Sequence, residues 1–470
     1  MTKTPRAYSL VWLYVACAVV LLSRLPFLAP GYGNDRDAWL TATAARLISE
    51  TGVYHESRVP GHPVQEWICS LLWRGGPRAL NGATAVASAL AALFFGLSFA
   101  ELGGKGRWPG LAALALSFTP VVYIHSVDTM DYLWALCFSM AALWLVLEDR
   151  WLLAGIALGL AIGSRVTAGL LLVPLAIAGS KQDGWKARPG ALAGFVVVSL
   201  LVGAATYLPR IAQYGIGSAM LSIRGIPYPG VIRLLQNMTL EIWGTIGGFG
   251  LIAALCFGLA RRGSASILPR SRAWLGVEVL VVALYLTVFF RLPDEAGYLI
   301  PIVPFVLLSL ARVLKPAAFA AACLCLIASP FAFDLGRPEN TLPGDIALPS
   351  AGHPLVILRP SEGPLFVEHR QRLSAMRNGE SLLSEICDLQ GPALVVCAQW
   401  MNQLYETSQG TLPHDVHLTE YLANAGQADS VLRSGARLYY VHGADHGSLY
   451  YYHLDLDSLG ARPLRYVPTQ

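Results

Sequence analysis

The chain has 470 residues, of which 54% are hydrophobic and only 14% charged, with a mean hydropathy of +0.50. A soluble domain carries about 25% charged residues, so this composition excludes an ordinary soluble enzyme and fits a polytopic membrane protein. The net charge of +4 is spread over many loops and marks no surface for nucleic acid.

Apolar segments fall at 8–28, 80–100, 108–125, 132–147, 151–163, 166–179, 191–208, 238–260, 273–290, 298–314 and 316–333. They predict an α-helical polytopic fold of about eleven transmembrane helices. The first segment imitates a signal peptide, but it is long and no small-x-small cleavage site follows, so it is expected to remain as a span. Several segments are too short to cross about 30 Å of hydrocarbon alone. Such helices survive where other protein or a water-filled cavity satisfies their backbone.

The run "WLLAGIALGLAIGSRVTAGLLLVPLAIAG" (151–179) is split at Ser164–Arg165 into a short helical hairpin, with a single tilted helix as the alternative. Loop charge favours the split. With eleven spans and the N-terminus inside, every lysine is cytoplasmic (Lys3, Lys105, Lys181, Lys186, Lys315), together with Arg261, Arg262, Arg270 and Arg272. The positive-inside rule prefers this arrangement, and a single helix would move 260–272 outside. Gly155, Gly159 and Gly163 recur every fourth residue, a pattern for close helix packing.

Residues 1–333 therefore read as a membrane domain, with outward segments at 29–79 and 209–237. Residues 334–470 read as a small extracytoplasmic α/β domain. There "HPLVIL", "ALVVCA" and "ARLYYVHG" suggest short buried strands. "RQRLSAMRNGESLLSEICD" and "HLTEYLANAGQADSVLRSG" suggest helices. Cys387 and Cys397 share this region, and an extracytoplasmic setting permits a disulfide between them. "HDVH" (414–417) and "HGADH" (442–446) fit solvated loops better than a metal site.

The first outward loop holds "GYGNDRDAW". Leu40, Ala44, Leu47 and Ile48 give the stretch after it a helical spacing, and Gly52 stops it. Asn34 or Asp35 caps that helix, and Asp37 sits in its first turn, where negative charge is favoured. Capping alone does not require the other ionisable groups of the loop: Arg36, His55, Glu56, Arg58, His62 and Glu66. Ionisable groups this close to hydrocarbon are costly and usually functional. The apolar segment after "VPGHP" is expected to lie along the membrane surface.

These features resemble the GT-C glycosyltransferases that take sugars from polyprenyl phosphates, such as the protein O-mannosyltransferases and the lipid A aminoarabinose transferases. The family's first extracytoplasmic loop carries an acidic residue, a short helix, a glycine and a basic-Pro element. Here these correspond to Asp37, "AWLTATAARLISETG", Gly52 and "GHP", with Gly61-His62-Pro63 where Glu-Lys-Pro is common. "FTPVVYIHSVDTMDYLWALCF" is similar to the third and fourth spans, with Asp128 and Asp131 at the outer turn. "GIALGLAIGSRVTAGLLLVP" is similar to the hairpin that carries a basic residue, here Arg165, and "RLPDEAGYLIPIVPF" to the late outer turn, here Ala296-Gly297-Tyr298.

The resemblance implies inverting transfer of a sugar from a polyprenyl-phosphate donor to a glycan, lipid or protein acceptor, and the short loops and Ala/Gly/Leu-rich spans suggest a bacterial inner membrane. It implies a carboxylate base, Asp37 first and Asp35 second, to take the acceptor proton. His62 and Arg165, the positions the resemblance selects, are expected to stabilise the departing phosphate, with Tyr298 of the late turn and with Arg224 and Arg291 as further outward-facing candidates at span ends. Arginines at span ends, Arg210 and Arg224 among them, also simply snorkel to the interface. Asp131, Asp128 and Glu66 are supporting groups. Some members of the family use a divalent metal such as Mg or Mn and others do not, so the metal stays open. A secondary transporter is the main rival, but it predicts internal repeats and midplane charges, and no clear repeat is present. A glycan polymerase or ligase is a second rival, and a non-catalytic assembly factor a third.

Overall fold

The computed structural model describes residues 7–183, 189–216, 228–260, 266–293, 295–336, 346–350, 353–409, 411–442 and 455–467. Its first two thirds are helical. The helices are α1 (Ala7–Arg24), α2 (Arg36–Thr51), α3 (Pro63–Leu72), α4 (Gly76–Glu101), α5 (Trp108–Phe118), α6 (Pro120–Ile124), α7 (Tyr132–Leu147), α8 (Trp151–Ser164), α9 (Leu172–Asp183) and α10 (Pro189–Tyr214). They continue as α11 (Val231–Met238), α12 (Leu240–Ala260), α13 (Arg272–Phe289), α14 (Ile302–Val313) and α15 (Pro316–Ala328).

Among the described residues, five helical stretches are long and apolar enough to cross a membrane: Leu10–Phe27, Pro63–Glu101, Pro189–Tyr214, Leu240–Gly258 and Arg272–Phe289. Shorter apolar helices accompany them, α5, α7, α8, α14 and α15 included. The fold is thus a multi-span helical one. Its lipid-like faces are visible in the exposure of large apolar side chains: Trp12, Leu22, Leu152, Leu201, Phe249 and Phe257 all lie more than half open. In water such faces would be unfavourable; in hydrocarbon they cost nothing.

Two features of the bundle position the site. The glycines of α8 bring it against α10: a Cβ at Gly159 would lie 2.5 Å from Val202, and one at Gly163 2.4 Å from Thr206. Then α8 stops at Ser164, where the sequence split was expected. Arg165 is extended (φ −157°, ψ 117°), a 3-10 turn runs over Val166–Leu171, and α9 goes on to contact α7, α10 and α13. The break frees backbone groups inside the bundle and turns the Arg165 side chain toward Asp131 and Tyr132 at the start of α7.

After α15 the chain changes character. Strands β1 (Asp334–Gly336), β2 (Ile346–Ser350) and β3 (His353–Arg359) form an antiparallel sheet in the order β1-β3-β2. Helix α16 (Pro364–Cys387) leads into β4 (Ala393–Val396), α17 (Met401–Ser408), β5 (Val416–Thr419), α18 (Ala425–Arg433), β6 (Arg437–Tyr440) and β7 (Arg462–Pro463). The last four strands are parallel, in the order β5-β4-β6-β7. Leu382, Ile386, Val395, Cys397, Leu404 and Val441 form a core between this sheet and its helices.

The helix expected from 417 onward starts only at Ala425. Asn424 caps it by accepting the Gln427 N–H at 3.1 Å, and the residues before pair with β4 as a strand. A four-residue strand is too short for its alternation to outweigh a helical pattern next to it. Cys387 and Cys397 are both free thiols, the first exposed and the second buried.

Candidate active site

The loop after α1 is built around two local devices. Asp35 caps α2, its carboxylate accepting the Asp37 N–H at 2.8 Å, and Gly52 closes the helix in the left-handed region, its N–H reaching the Ile48 carbonyl at 2.8 Å. The second device is Glu66 of α3. Its fully buried carboxylate accepts from the Ser57 N–H (2.7 Å), the Ser57 hydroxyl (2.6 Å), the His62 N–H (3.0 Å) and the Tyr54 hydroxyl. This folds residues 54–62 back over α3. Gly61 makes the turn at φ +87°, and a Cβ there would lie 2.5 Å from the Tyr54 oxygen. Glu66 is therefore the knot that shapes the loop. Glu66→Gln is expected to set an amide NH2 against N–H donors and cost about 1–3 kcal/mol. A lower melting temperature and earlier proteolytic cleavage within 53–62 would show it.

The folded loop brings Arg58 to the centre of a charge cluster. Arg58 Nε lies 3.0 Å from Asp37 Oδ2, and its Nη2 donates to Asp131 Oδ1 at the start of α7. Arg165 donates from the helix break to the other oxygen of Asp131 at 2.5 Å. The order across the site is thus Asp37, Arg58, Asp131, Arg165. Asp131 has no exposed surface, whereas the side chain of Asp37 is 33% exposed. Burial opposes charge on Asp131, but the Arg165 and Arg58 guanidiniums outweigh it and hold the carboxyl far below the usual range. Burial likewise works against the Arg58 cation, and Asp131 and Asp37 more than restore it. The buried Nη1 of Arg58 has no hydrogen-bond partner among the described residues.

His62 joins the same cluster as a neutral ring. Burial, reinforced by Arg58 and Arg165 and opposed by Asp131, lowers its pKa to about 3. Its Nδ1 lies 2.9 Å from the Ser164 carbonyl, so that nitrogen carries the proton, and its buried Nε2 has no partner among the described residues. His62 ties the first loop to the end of α8, and Asp131 is 3.4 Å away.

On the other side lies a second set of contacts. Tyr132 donates to Glu295, and Glu295 hydrogen-bonds Asp35. Arg165 stands over the Tyr132 ring at 4.2 Å and the Tyr298 ring at 5.0 Å. Burial and the Glu295 carboxylate together raise the Asp35 pKa to about 8. At neutral pH Asp35 therefore holds its proton, while burial also raises Asp37 but Arg58 opposes it.

This shift makes a stability prediction. The folded pKa lies above the unfolded value of 3.8, so the contribution of the Asp35 contact is whole below about 3.8 and is lost as pH rises toward about 8. Wild-type melting temperature is expected to fall between pH 4 and pH 8 relative to Asp35→Asn, and to run parallel to it above. Parallel curves throughout would mean that Asp35 titrates alike in the folded and unfolded chain.

The remaining sequence candidates separate. Asp128 is buried and accepts from His125 at 2.9 Å, with its Oδ1 unpartnered. Arg291 is exposed at the end of α13. Arg224 lies outside the described residues, as does "HGADH" beyond His442. His414 and His417 are exposed. Arg210 is buried, and its Nε lies 2.7 Å from Glu56. Arg58, Tyr132 and Glu295 hold central places that sequence reasoning did not assign. In the sequence Arg58 is one loop charge among many, and Glu295 lies within "RLPDEAGYLIPIVPF". Among the described residues, no group of three or more His, Cys, Asp or Glu is arranged to hold a metal ion.

No protein-family model matches the sequence, and no curated protein matches it. Solved structures do. The crystal structure of ArnT from Cupriavidus metallidurans bound to undecaprenyl phosphate aligns over 92% of this chain and 88% of its own, at 13% identity and a TM-score of 0.54. The apo Archaeoglobus fulgidus oligosaccharyltransferase aligns over 97% of this chain and 64% of its own, at 11% identity and 0.45. Arabinosyltransferase EmbB from Mycobacterium smegmatis aligns over 83% of this chain and 34% of its own, at 12% identity and 0.40. At these identities the first likeness shows a shared multi-span fold, that of the ArnT structure, and the fold alone.

Proposed function

We propose that the chain is an inverting membrane glycosyltransferase that moves a sugar from a polyprenyl-phosphate donor to an acceptor on the extracytoplasmic side. The observation that carries this reading is the row Asp37–Arg58–Asp131–Arg165: a partly open carboxylate beside two guanidiniums held by a second, buried carboxylate. The GT-C-like fold, and the undecaprenyl phosphate bound to the similar ArnT, support a lipid-phosphate donor.

The chemistry is set by the row. The acceptor oxygen or nitrogen attacks the anomeric carbon, its proton passes to Asp37, and the anomeric C–O bond breaks with its electron pair going to the phosphate oxygen. The phosphate leaves without a proton and is stabilised by charge-assisted hydrogen bonds from Arg58, through its unpartnered Nη1, and from Arg165. Asp131 keeps both guanidiniums aimed and charged. Asp35, its pKa raised by burial and by Glu295, is the weaker candidate for base. His62, neutral and tied to Ser164, positions the loop and offers Nε2 as an acceptor. Tyr298 and Tyr132 wall the site beside Arg165. Arg291, exposed beyond α13, and Arg224, outside the described residues, stand as further candidates for the phosphate, and Asp128 with His125 as support.

The same reading places the N-terminus in the cytoplasm, the segment from residue 334 as an extracytoplasmic domain, and the protein in a bacterial inner membrane. The test is turnover of a panel of polyprenyl-phosphate sugars by purified protein in lipid, with and without Mg or Mn. Product of inverted anomeric configuration is expected. No transfer from any donor, with substrate flux in vesicles instead, would establish a transporter.

A further inference from the structure

Helix α16 belongs to the C-terminal part of the chain, yet its Arg372 is 2% exposed and points into the membrane part. Its Nε donates to the Pro30 carbonyl (3.0 Å), its Nη2 to that of Gly31 (3.0 Å), and its Nη1 to those of Val127 (2.9 Å) and Phe27 (3.5 Å). One planar guanidinium thus grips two separate turns. The first, 27–31, leads into Asp35 and Asp37; the second holds Asp128 and Asp131. A lysine ammonium, compact and without the fork, cannot span these carbonyls.

The grip is reinforced from the membrane side. Asn81 of α4 donates to the Leu28 and Gly31 carbonyls at 3.0 and 2.9 Å and accepts from the Thr129 hydroxyl at 2.7 Å. The Thr129 N–H reaches the Tyr32 carbonyl at 2.7 Å. The same two turns are therefore tied at their backbones, and the Asp37–Arg58–Asp131 bridge joins the starts of the helices they lead into, α2 and α7. Further contacts hold α16, α17 and the end of β5 over the loop. Asn34 donates to the Glu368 carbonyl at 3.3 Å, Arg36 pairs with Glu420, and Arg46 with Glu406 at 3.1 Å.

We propose that Arg372 is a positioning residue for transfer: it fixes the separation between the turn that carries the base and the turn that anchors the phosphate-binding guanidiniums, so that α16 is a working part of the site. The proposal rests on the transferase reading above. Four charge-assisted bonds to one buried cation make a rigid strap rather than a general stabiliser. A base displaced by about 1 Å loses about 10²-fold in rate, while the donor phosphate, held by Arg58 and Arg165 on the far side, binds as before.

The test compares Arg372→Lys with Leu382→Ala. Leu382 lies on the same helix, is fully buried against the C-terminal sheet and touches neither turn. Both variants are expected to melt earlier. Only Arg372→Lys is expected to lose about 10²-fold in kcat with donor KM little changed, and to show faster amide exchange in 27–37 and 125–131. Arg372→Gln, which removes the buried charge, takes its place if the lysine variant does not fold. Wild-type kcat in the variant, a loss matched by Leu382→Ala at equal melting temperature, or unchanged exchange in both turns would overturn the proposal. Exchange reads the strap without turnover, so an inactive wild type would sink the transferase reading and leave the strap decided on its own.

Discussion

Asp37→Asn is expected to lower kcat by about 10²–10⁴-fold, the range a general base supplies, with donor KM unchanged or lower. The amide keeps the shape of the side chain but accepts no proton from the incoming acceptor. It also releases Arg58 from one of its two carboxylate partners, 3.0 Å away, and leaves that guanidinium anchored by Asp131 alone. A donor phosphate then competes with one carboxylate rather than two. The helix start is unaffected, because the cap is the side chain of Asp35, and Asp37 contributes only its N–H. Melting temperature should stay near that of wild type. The acidic limb of the kcat profile, which reports Asp37, should flatten. Full turnover in this variant would strip Asp37 of the base role. Loss of donor binding with kcat intact would make it a binding group instead.

The parts of the site legible in the sequence were those that local rules govern. A glycine after four helically spaced apolar residues marked the end of α2 at Gly52, because only a left-handed residue closes such a helix without strain. The break at Ser164–Arg165 was legible because an arginine between two apolar halves has no comfortable place in a continuous lipid-facing helix. The links between these pieces were not legible. Arg58 and Asp131 lie 73 residues apart, and Arg165 and Asp131 lie 34 apart, with no periodicity to link them. Arg58 reads as one more loop cation until the Glu66 knot folds the loop and aims it. Glu66 looked like site chemistry because a carboxylate with four donors and one with none are identical in sequence. Arg372 was hidden differently: it sits on a helix with Arg370 and Arg377, where a basic residue reads as solvated. The strand at Val416–Thr419 was lost to the helical pattern just after it. Long-range pairing decided each of these.

Asp131→Asn is expected to be the most damaging single change, in stability as well as in turnover. Asp131 has no exposed surface and neutralises two guanidiniums, Arg58 and Arg165, with Arg165 at 2.5 Å. Deleting one member of a buried charge set leaves the others desolvated and uncompensated, a cost of about 3–5 kcal/mol. Here two like charges would then face each other with only Asp37 on the open side. The asparagine can accept from one guanidinium, but its NH2 turns a donor toward the other. The first loop and the α8 break should therefore separate, since Asp131 is where Arg58 from one and Arg165 from the other meet. Melting temperature should fall by several degrees, and kcat by more than in Asp37→Asn, because base and phosphate-binding groups lose their common reference together. The two effects are separable. Arg165→Met placed on Asp131→Asn removes one of the stranded charges and should recover part of the melting temperature, while activity stays absent. Recovery of neither would mean that the carboxylate acts through something other than this pair of arginines. Recovery of both would remove Arg165 from the chemistry and leave Arg58 as the phosphate group.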